Sequence, residues 1–162
     1  MKLSVMLEQL SSGMLRSMEI FFLTLIFSLP LGLLISFGRM SKNKILRTII
    51  KVYISVMRGT PLMLQLLVVY FGPYYLFGMQ IGGTYRFTAI ILGFALNYAA
   101  YFAEIYRGGI NSIDRGQYEA AHALGLSKRQ TMGDIILPQT MKAILPPVVN
   151  EAITLVKDTA LA

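Results

Sequence analysis

The chain has 162 residues, 55% hydrophobic and only 14% charged, with a mean hydropathy of +0.60 and a formal net charge of +7. Soluble domains carry charges at nearer a quarter of their residues, so this composition with its long uncharged blocks indicates a membrane protein. The absence of cysteine and the single histidine, His122, exclude a disulfide framework, a thiolate metal site and a multi-histidine metal site.

Residues 1–18, with Lys2, Glu8 and Arg16, read as a short amphipathic lead-in. Residues 20–38 then carry no charge, and 19 residues at ~1.5 Å each suffice to cross a bilayer. The block is long for a signal peptide and begins late. Pro30 inside it is expected to kink the helix, which neighbouring helices tolerate. Six cations follow (Arg39, Lys42, Lys44, Arg47, Lys51, Arg58), against Lys2 and Arg16 before it. Five more (Arg107, Arg115, Lys128, Arg129, Lys142) surround a later polar segment, so 11 of the 15 cations sit in two clusters. The positive-inside rule assigns both clusters to the cytoplasm and the N-terminus to the outside. The same clustering argues against a nucleic-acid-binding face.

From 41 to 58 the pattern is amphipathic, with Lys44, Arg47, Lys51 and Arg58 on one stripe. Ile45, Ile49, Val52, Tyr53, Val56 and Met57 take the opposite arc. The segment is either a helix at the inner interface or a cytoplasmic extension of the second span. Arg58-Gly59-Thr60-Pro61 marks the entry to that span, Pro61 suiting a first helical turn. Residues 59–85 carry no charge and leave room for a crossing and a short outer turn at 78–83.

The third span, about 86–106, carries Asn97, Tyr101 and Glu104 at i, i+4, i+7, which is one helical stripe. A charge near the bilayer centre costs about 2.5–3.5 kcal/mol on insertion scales, so Glu104 must face protein, water or a ligand. It either pairs with Arg107, one turn on, or contacts a solute. Next comes Glu119-Ala120-Ala121-His122-Ala123-Leu124-Gly125, strong helix formers ending at a glycine able to take positive φ. A basic patch (Ser127, Lys128, Arg129, Gln130) and Ile135-Ile136-Leu137-Pro138 follow. Locally this is an ordinary helical hairpin. Pro146 and Pro147 are expected to open a fourth helix with Asn150, Glu151, Thr154, Lys157 and Asp158 on one face. Two polar-faced helices opposite each other would enclose a wet pocket for a zwitterionic solute. Glu104 or Asp158 could take an ammonium, and Lys157 or amide groups a carboxylate, although Asn150 and Thr154 equally suit packing. The methionines and aromatics suggest packing or lipid contact, and His122 a surface residue.

Glu119-Ala120-Ala121, Gly125, Ile135 and Leu137-Pro138, taken with their spacing, resemble the signature loop of permease subunits of ATP-binding-cassette (ABC) importers. Arg58-Gly59-Thr60-Pro61-Leu62 with Gln65 and Tyr70-Phe71-Gly72 is similar to the polar-amino-acid branch. So are Ala103-Glu104-Ile105-Tyr106-Arg107-Gly108-Gly109-Ile110 and the run from Gly116-Gln117 to Leu126-Ser127. Lys157-Asp158-Thr159-Ala160-Leu161 resembles a Lys-Asp-Thr-Ser-Leu segment, with Ala160 where relatives carry Ser.

The resemblance implies an all-α, polytopic permease of the type I ABC importer kind, ending before its last span. It implies one transmembrane domain over 1–162, with spans near 19–38, 61–79, 86–106 and 144–162 and a cytoplasmic coupling segment near 107–143. Glu119, Ala120, Ala121, Leu124, Gly125, Leu137 and Pro138 would then couple to an ATPase. Asn97, Tyr101, Glu104, Asn150, Thr154, Lys157 and Asp158 would line the solute path. Implied partners are ABC ATPases, a second permease subunit and an extracytoplasmic solute-binding protein, in a bacterial inner membrane. No Gly-x4-Gly-Lys-Ser/Thr loop occurs, so hydrolysis would belong to a partner, and no cofactor or catalytic residue is expected. An ion-coupled transporter using Glu104 and Asp158, or a non-transporting membrane scaffold, are the rival readings.

Overall fold

The computed structural model describes residues 3–79 and 82–162, all of whose regular structure is helical. Lys2 and part of the expected 78–83 turn lie outside the described residues. The lead-in and the first uncharged block form a single 37-residue helix, α1 (Leu3–Arg39), with Pro30 carried inside it. No other strong helix breaker intervenes, and Leu, Met, Glu and Gln in the first half all favour helix.

Helix α2 (Lys44–Gly59) begins where Asn43 Oδ1 accepts from the Ile45 and Leu46 amides at 3.0 and 3.4 Å. It is followed by α3 (Leu62–Phe77), whose axis departs at 111° from that of α2. α2 is therefore no straight extension of the next helix. Its apolar arc is divided. Ile50, Tyr53, Ile54 and Met57 gather at the cluster formed with Ala100, Ala103 and Ile35, while Ile45, Ile49, Val52 and Val56 are exposed. Gly78 closes α3 at φ 64°.

Helix α4 (Gly83–Asn111) is the axis of the fold, contacting α1, α2, α3 and the last long helix. Its contact with α1 depends on small residues. Thr24, Ser28, Gly32 and Ser36 recur every fourth position, hence on one face, and the three hydroxyl-bearing members are fully buried. At Gly32 the backbones approach so closely that a Cβ would stand 2.8 Å from Phe102 Cβ and 3.1 Å from the Ala99 carbonyl. The core is completed by Ile20, Phe94, Tyr98, Phe102 and Leu155.

After α4 come a short helix, α5 (Arg115–Ala123), a single turn, α6 (Lys128–Gln130), and a π-helical segment, Thr131–Ile136. The π segment runs directly into α7 (Leu137–Asp158), and a short 3-10 turn, Thr159–Leu161, follows. Pro146 and Pro147 were expected to open this helix but lie inside it; Pro138 is the proline at its start. Pro138 has no N–H to continue the ladder where the π-helical segment, whose last bond runs from the Leu137 N–H to the Met132 carbonyl, passes into α7. Thr140, Ile144 and Leu155 are buried, whereas Val149, Ile153 and Val156 are 50–57% exposed. An exposed apolar side on a helix otherwise flanked by polar groups is what hydrocarbon surroundings select.

By length and composition α1 and α4 can cross a membrane, and the α2–α3 pair would add a third span if its two arms count as one. α7 does not join them, because its polar face lowers its hydropathy. The ends of the bundle separate clearly. Arg16 lies over Phe87, and the Tyr85 hydroxyl donates to the Val69 carbonyl, at one end. Arg39 meets Glu104, and Ile144 packs against Gly109, at the other.

Candidate coupling ledge and polar pocket

Helix α5 is stopped at both ends by local chemistry. Asp114 Oδ1 accepts from the Gly116 amide at 2.7 Å, which caps the start. At the finish, Gly125 takes φ 75° while its N–H bonds the His122 carbonyl and the Leu126 N–H bonds the Ala121 carbonyl, both at 3.0 Å. This pair of bonds is a Schellman closure, and it reverses the chain. Ser127 and Gln130 then form a capping box, the Ser127 amide bonding Gln130 Oε1 at 3.0 Å and the Gln130 amide bonding Ser127 Oγ at 3.3 Å.

The ledge built this way stands on α7. Among its described neighbours, α5 packs chiefly on the π segment. Ala121 is fully buried against that inner side, whereas Glu119, Ala120, Leu124 and Gly125 are exposed, Leu124 by 78%. Leu137 and Pro138 are exposed at the root of α7. Gln139 Nε2 ties the two parts together, donating to Gln117 Oε1 at 3.2 Å and to the Ile135 carbonyl at 2.9 Å. Gln117 entered the sequence reading only as part of the Gly116-Gln117 motif and Gln139 not at all, since a contact across 22 positions leaves no local signal.

The second group of polar residues is dispersed over three places. Tyr101 and Glu104 line a cavity of about 450 Å³ with Arg39, Lys51, Ile54, Ser55, Arg58 and Gly59. Glu104 is held by Arg107 in a two-pronged contact, Nε and Nη2 lying 3.0 and 2.6 Å from Oε2, and Arg39 Nε approaches Oε1 at 3.7 Å. Arg58 sits over the Tyr101 ring, 5.2 Å from its centre. Three cations therefore face one carboxylate that is already paired, so the cavity attracts negative charge.

Asn97 is only 4% exposed and lies outside that cavity. Its Nδ2 donates to the Met57 carbonyl at 3.0 Å and to Gln65 Oε1 at 2.9 Å. Asp158 is bound to α4, where the Tyr98 hydroxyl donates to Oδ2 at 2.7 Å. Thr154 bonds within its own helix, to the Asn150 carbonyl at 3.1 Å, and Asn150 and Lys157 are exposed. Tyr98 carries no sequence signal beyond that of a packing aromatic, and Lys51 and Arg58 read in the sequence as one stripe of an amphipathic helix rather than as pocket residues.

The comparisons with known proteins agree among themselves. Residues 28–162 match the family described as binding-protein-dependent transport system inner membrane component. The chain is 42% identical over 149 residues to GlnP of Rickettsia felis, named for a glutamine transport system, covering 92% of this chain and 67% of that one. It is 45% identical to the arginine transport system permease protein ArtQ of Bacillus subtilis, with the same coverage. The chain thus spans about two thirds of the length of the curated relatives it matches. Among solved structures, it is similar to an amino acid ABC transporter crystallised with histidines, with a TM-score of 0.85 and 38% identity over 99% of this chain and 75% of that one. The MetNI methionine transporter, 21% identical with a TM-score of 0.65, shares the fold.

Proposed function

The chain belongs to the inner membrane components of binding-protein-dependent transport systems as an amino acid ABC transporter permease, and from that membership we propose that it couples ATP hydrolysis on a partner to import of polar amino acids. The observation that carries this reading is the ledge, a closed, exposed helix joined to a long inner helix through a π-helical segment. Glu119, Ala120, Leu124 and Gly125, with Leu137 and Pro138 at the root, form the surface that receives the ATPase. Ala121 braces α5 from behind.

Closure of an ATPase pair would push α5 as one body, because both its ends are capped and Gln117 is bonded to Gln139. The push reaches α7 directly. From α7 it passes to α4 through the Asp158–Tyr98 bond, so the ledge and the solute path are parts of one lever. Outward-open and inward-open states then differ in population according to which one the ATP-bound partner prefers. A second permease subunit faces the exposed polar side of α7, and a solute-binding protein delivers from the opposite end.

The pocket at Tyr101 and Glu104 supplies the chemistry for a zwitterion. Arg58, Lys51 and Arg39 attract the solute carboxylate, and the Tyr101 ring, which carries Arg58 over its face, adds an apolar wall for the solute stem. In this arrangement the N-terminus lies outside and the ledge inside, supported by the six cations between 39 and 58. Vesicles carrying the assembled transporter test the reading. Uptake of labelled polar amino acids should require ATP and survive a protonophore. Uptake that a protonophore stops, and that ATP depletion at fixed potential leaves intact, would overturn it in favour of ion coupling.

A further inference from the structure

The motif Arg58-Gly59-Thr60-Pro61-Leu62, with Gln65 beyond it, marks the point where α3 leaves α2 at 111°. A helix that ends inside a bundle strands its last carbonyls, and hydrocarbon offers no water to satisfy them. Thr60 covers one, its amide and hydroxyl donating to the Val56 carbonyl at 3.1 and 2.8 Å. Gln65, one turn into α3, reaches back over the break. Its Nε2 lies 2.9 Å from the Met57 carbonyl, 3.1 Å from the Thr60 carbonyl and 2.7 Å from Thr60 Oγ1. Asn97 arrives from α4 and donates both to that Met57 carbonyl and to Gln65 Oε1.

Two amides from two helices thus converge on one carbonyl and also bond each other. A straight span would need neither, and leucine at both positions would serve it better. Met57 is followed at once by Arg58, the residue stacked over Tyr101 in the pocket wall. Gln65 and Asn97 themselves do not line that pocket. We propose that Gln65 and Asn97 are positioning residues, a clasp that fixes the α2–α3 bend and through it the placement of Arg58 over the pocket. Only the kinetic consequence of the clasp rests on the pocket being the solute site; the geometric consequence stands without it.

Residues 1–162 hold no cysteine, so a direct test needs only the cysteines of the other subunits, and any outside these residues, replaced by serine. Spin labels at Thr48→Cys and Tyr75→Cys, exposed positions on the two arms, report the bend by dipolar spectroscopy in the assembled transporter in lipid nanodiscs, with labelled chains diluted by unlabelled ones. Asn97→Asp keeps the shape of the side chain and removes both amide hydrogens, and Gln65→Leu removes the other arm of the clasp. Each is expected to broaden or shift the interlabel distance by several ångströms. The apparent KM for solute should rise by about tenfold with kcat little changed, the effect of misplacing one charged contact. A parental distance distribution in both variants overturns the proposal. A raised KM at unchanged distance overturns it too, and makes Asn97 a solute contact. A broadened distance with parental KM supports the clasp and removes the Arg58 pocket from the solute path.

Discussion

A carboxylate placed in a membrane span must be neutralised or wet, and Glu104 is neutralised. Its side chain is 17% exposed and engaged by Arg107 one turn on, with Arg39 arriving from α1. Removing one member of such a group leaves the other as an underpaired charge, which costs about 1–3 kcal/mol. Arg107→Met should therefore lower the unfolding temperature of the detergent-solubilised chain by several degrees, and Arg107→Lys should recover part of the loss. A parental melting curve for Arg107→Met would show that Arg39 alone suffices. The Arg107 pairing was legible from i, i+3 spacing, since it is local. The approach of Arg39 was not, because it depends on how two helices 65 positions apart are set against each other. The same distinction applies to Asn97. Its place on a polar stripe could be counted along the sequence, but its bonds to Met57 and Gln65 required knowing that α3 turns away from α2 at 111°. The repeat of Thr24, Ser28, Gly32 and Ser36 was open to view, and went unread because an uncharged block draws attention to its length rather than its smallest members.

Among the elements, the turn after α5 was the most legible. An alanine-rich stretch before a glycine specifies a helix and its C-terminal closure, and Gly125 at φ 75° supplies the reversal. A side chain with a Cβ pays about 1–2 kcal/mol for that conformation, more when β-branched. Gly125→Val should therefore distort the ledge without affecting membrane insertion. Co-purification of the permease with its ATPase should fall by at least tenfold while the amount of permease in the membrane stays constant. Undiminished co-purification would mean that the shape of this turn is irrelevant to docking. The bend between α2 and α3 was the least legible element. Gly59, Thr60 and Pro61 announce an interruption, but the angle is set by Gln65 and Asn97, which act from the next helix and from α4. The prolines divide in the same way. Pro138 sits in the first turn of α7, whereas Pro146 and Pro147 lie within it, where each leaves one carbonyl of the preceding turn without its helix bond.

At the scale of the molecule, Arg39, Lys51 and Arg58 of the first cation cluster meet around Glu104, which Arg107 of the second cluster also holds, and α1, α2, α3 and α7 all carry exposed apolar side chains. Composition alone had indicated a membrane protein, and the outward-facing Phe22, Ile26, Phe27, Leu34 and Phe37 of α1 are its structural expression. The small buried core is compatible with such a chain because the bilayer, rather than packing against itself, accommodates the remainder. What no pattern along the sequence could supply were the Gln117–Gln139 and Tyr98–Asp158 hydrogen bonds, spanning 22 and 60 positions, on which the proposed lever depends.

If the ledge is the coupling surface, its Leu124 end meets the ATPase. A photo-crosslinking residue at position 124, 78% exposed, compared in cells with one at position 75, 79% exposed on the far arm of α3, tests this directly. A covalent adduct between the permease and its ATPase subunit is expected from position 124 and none from position 75. An ATPase adduct from position 75, with none from 124, would contradict it.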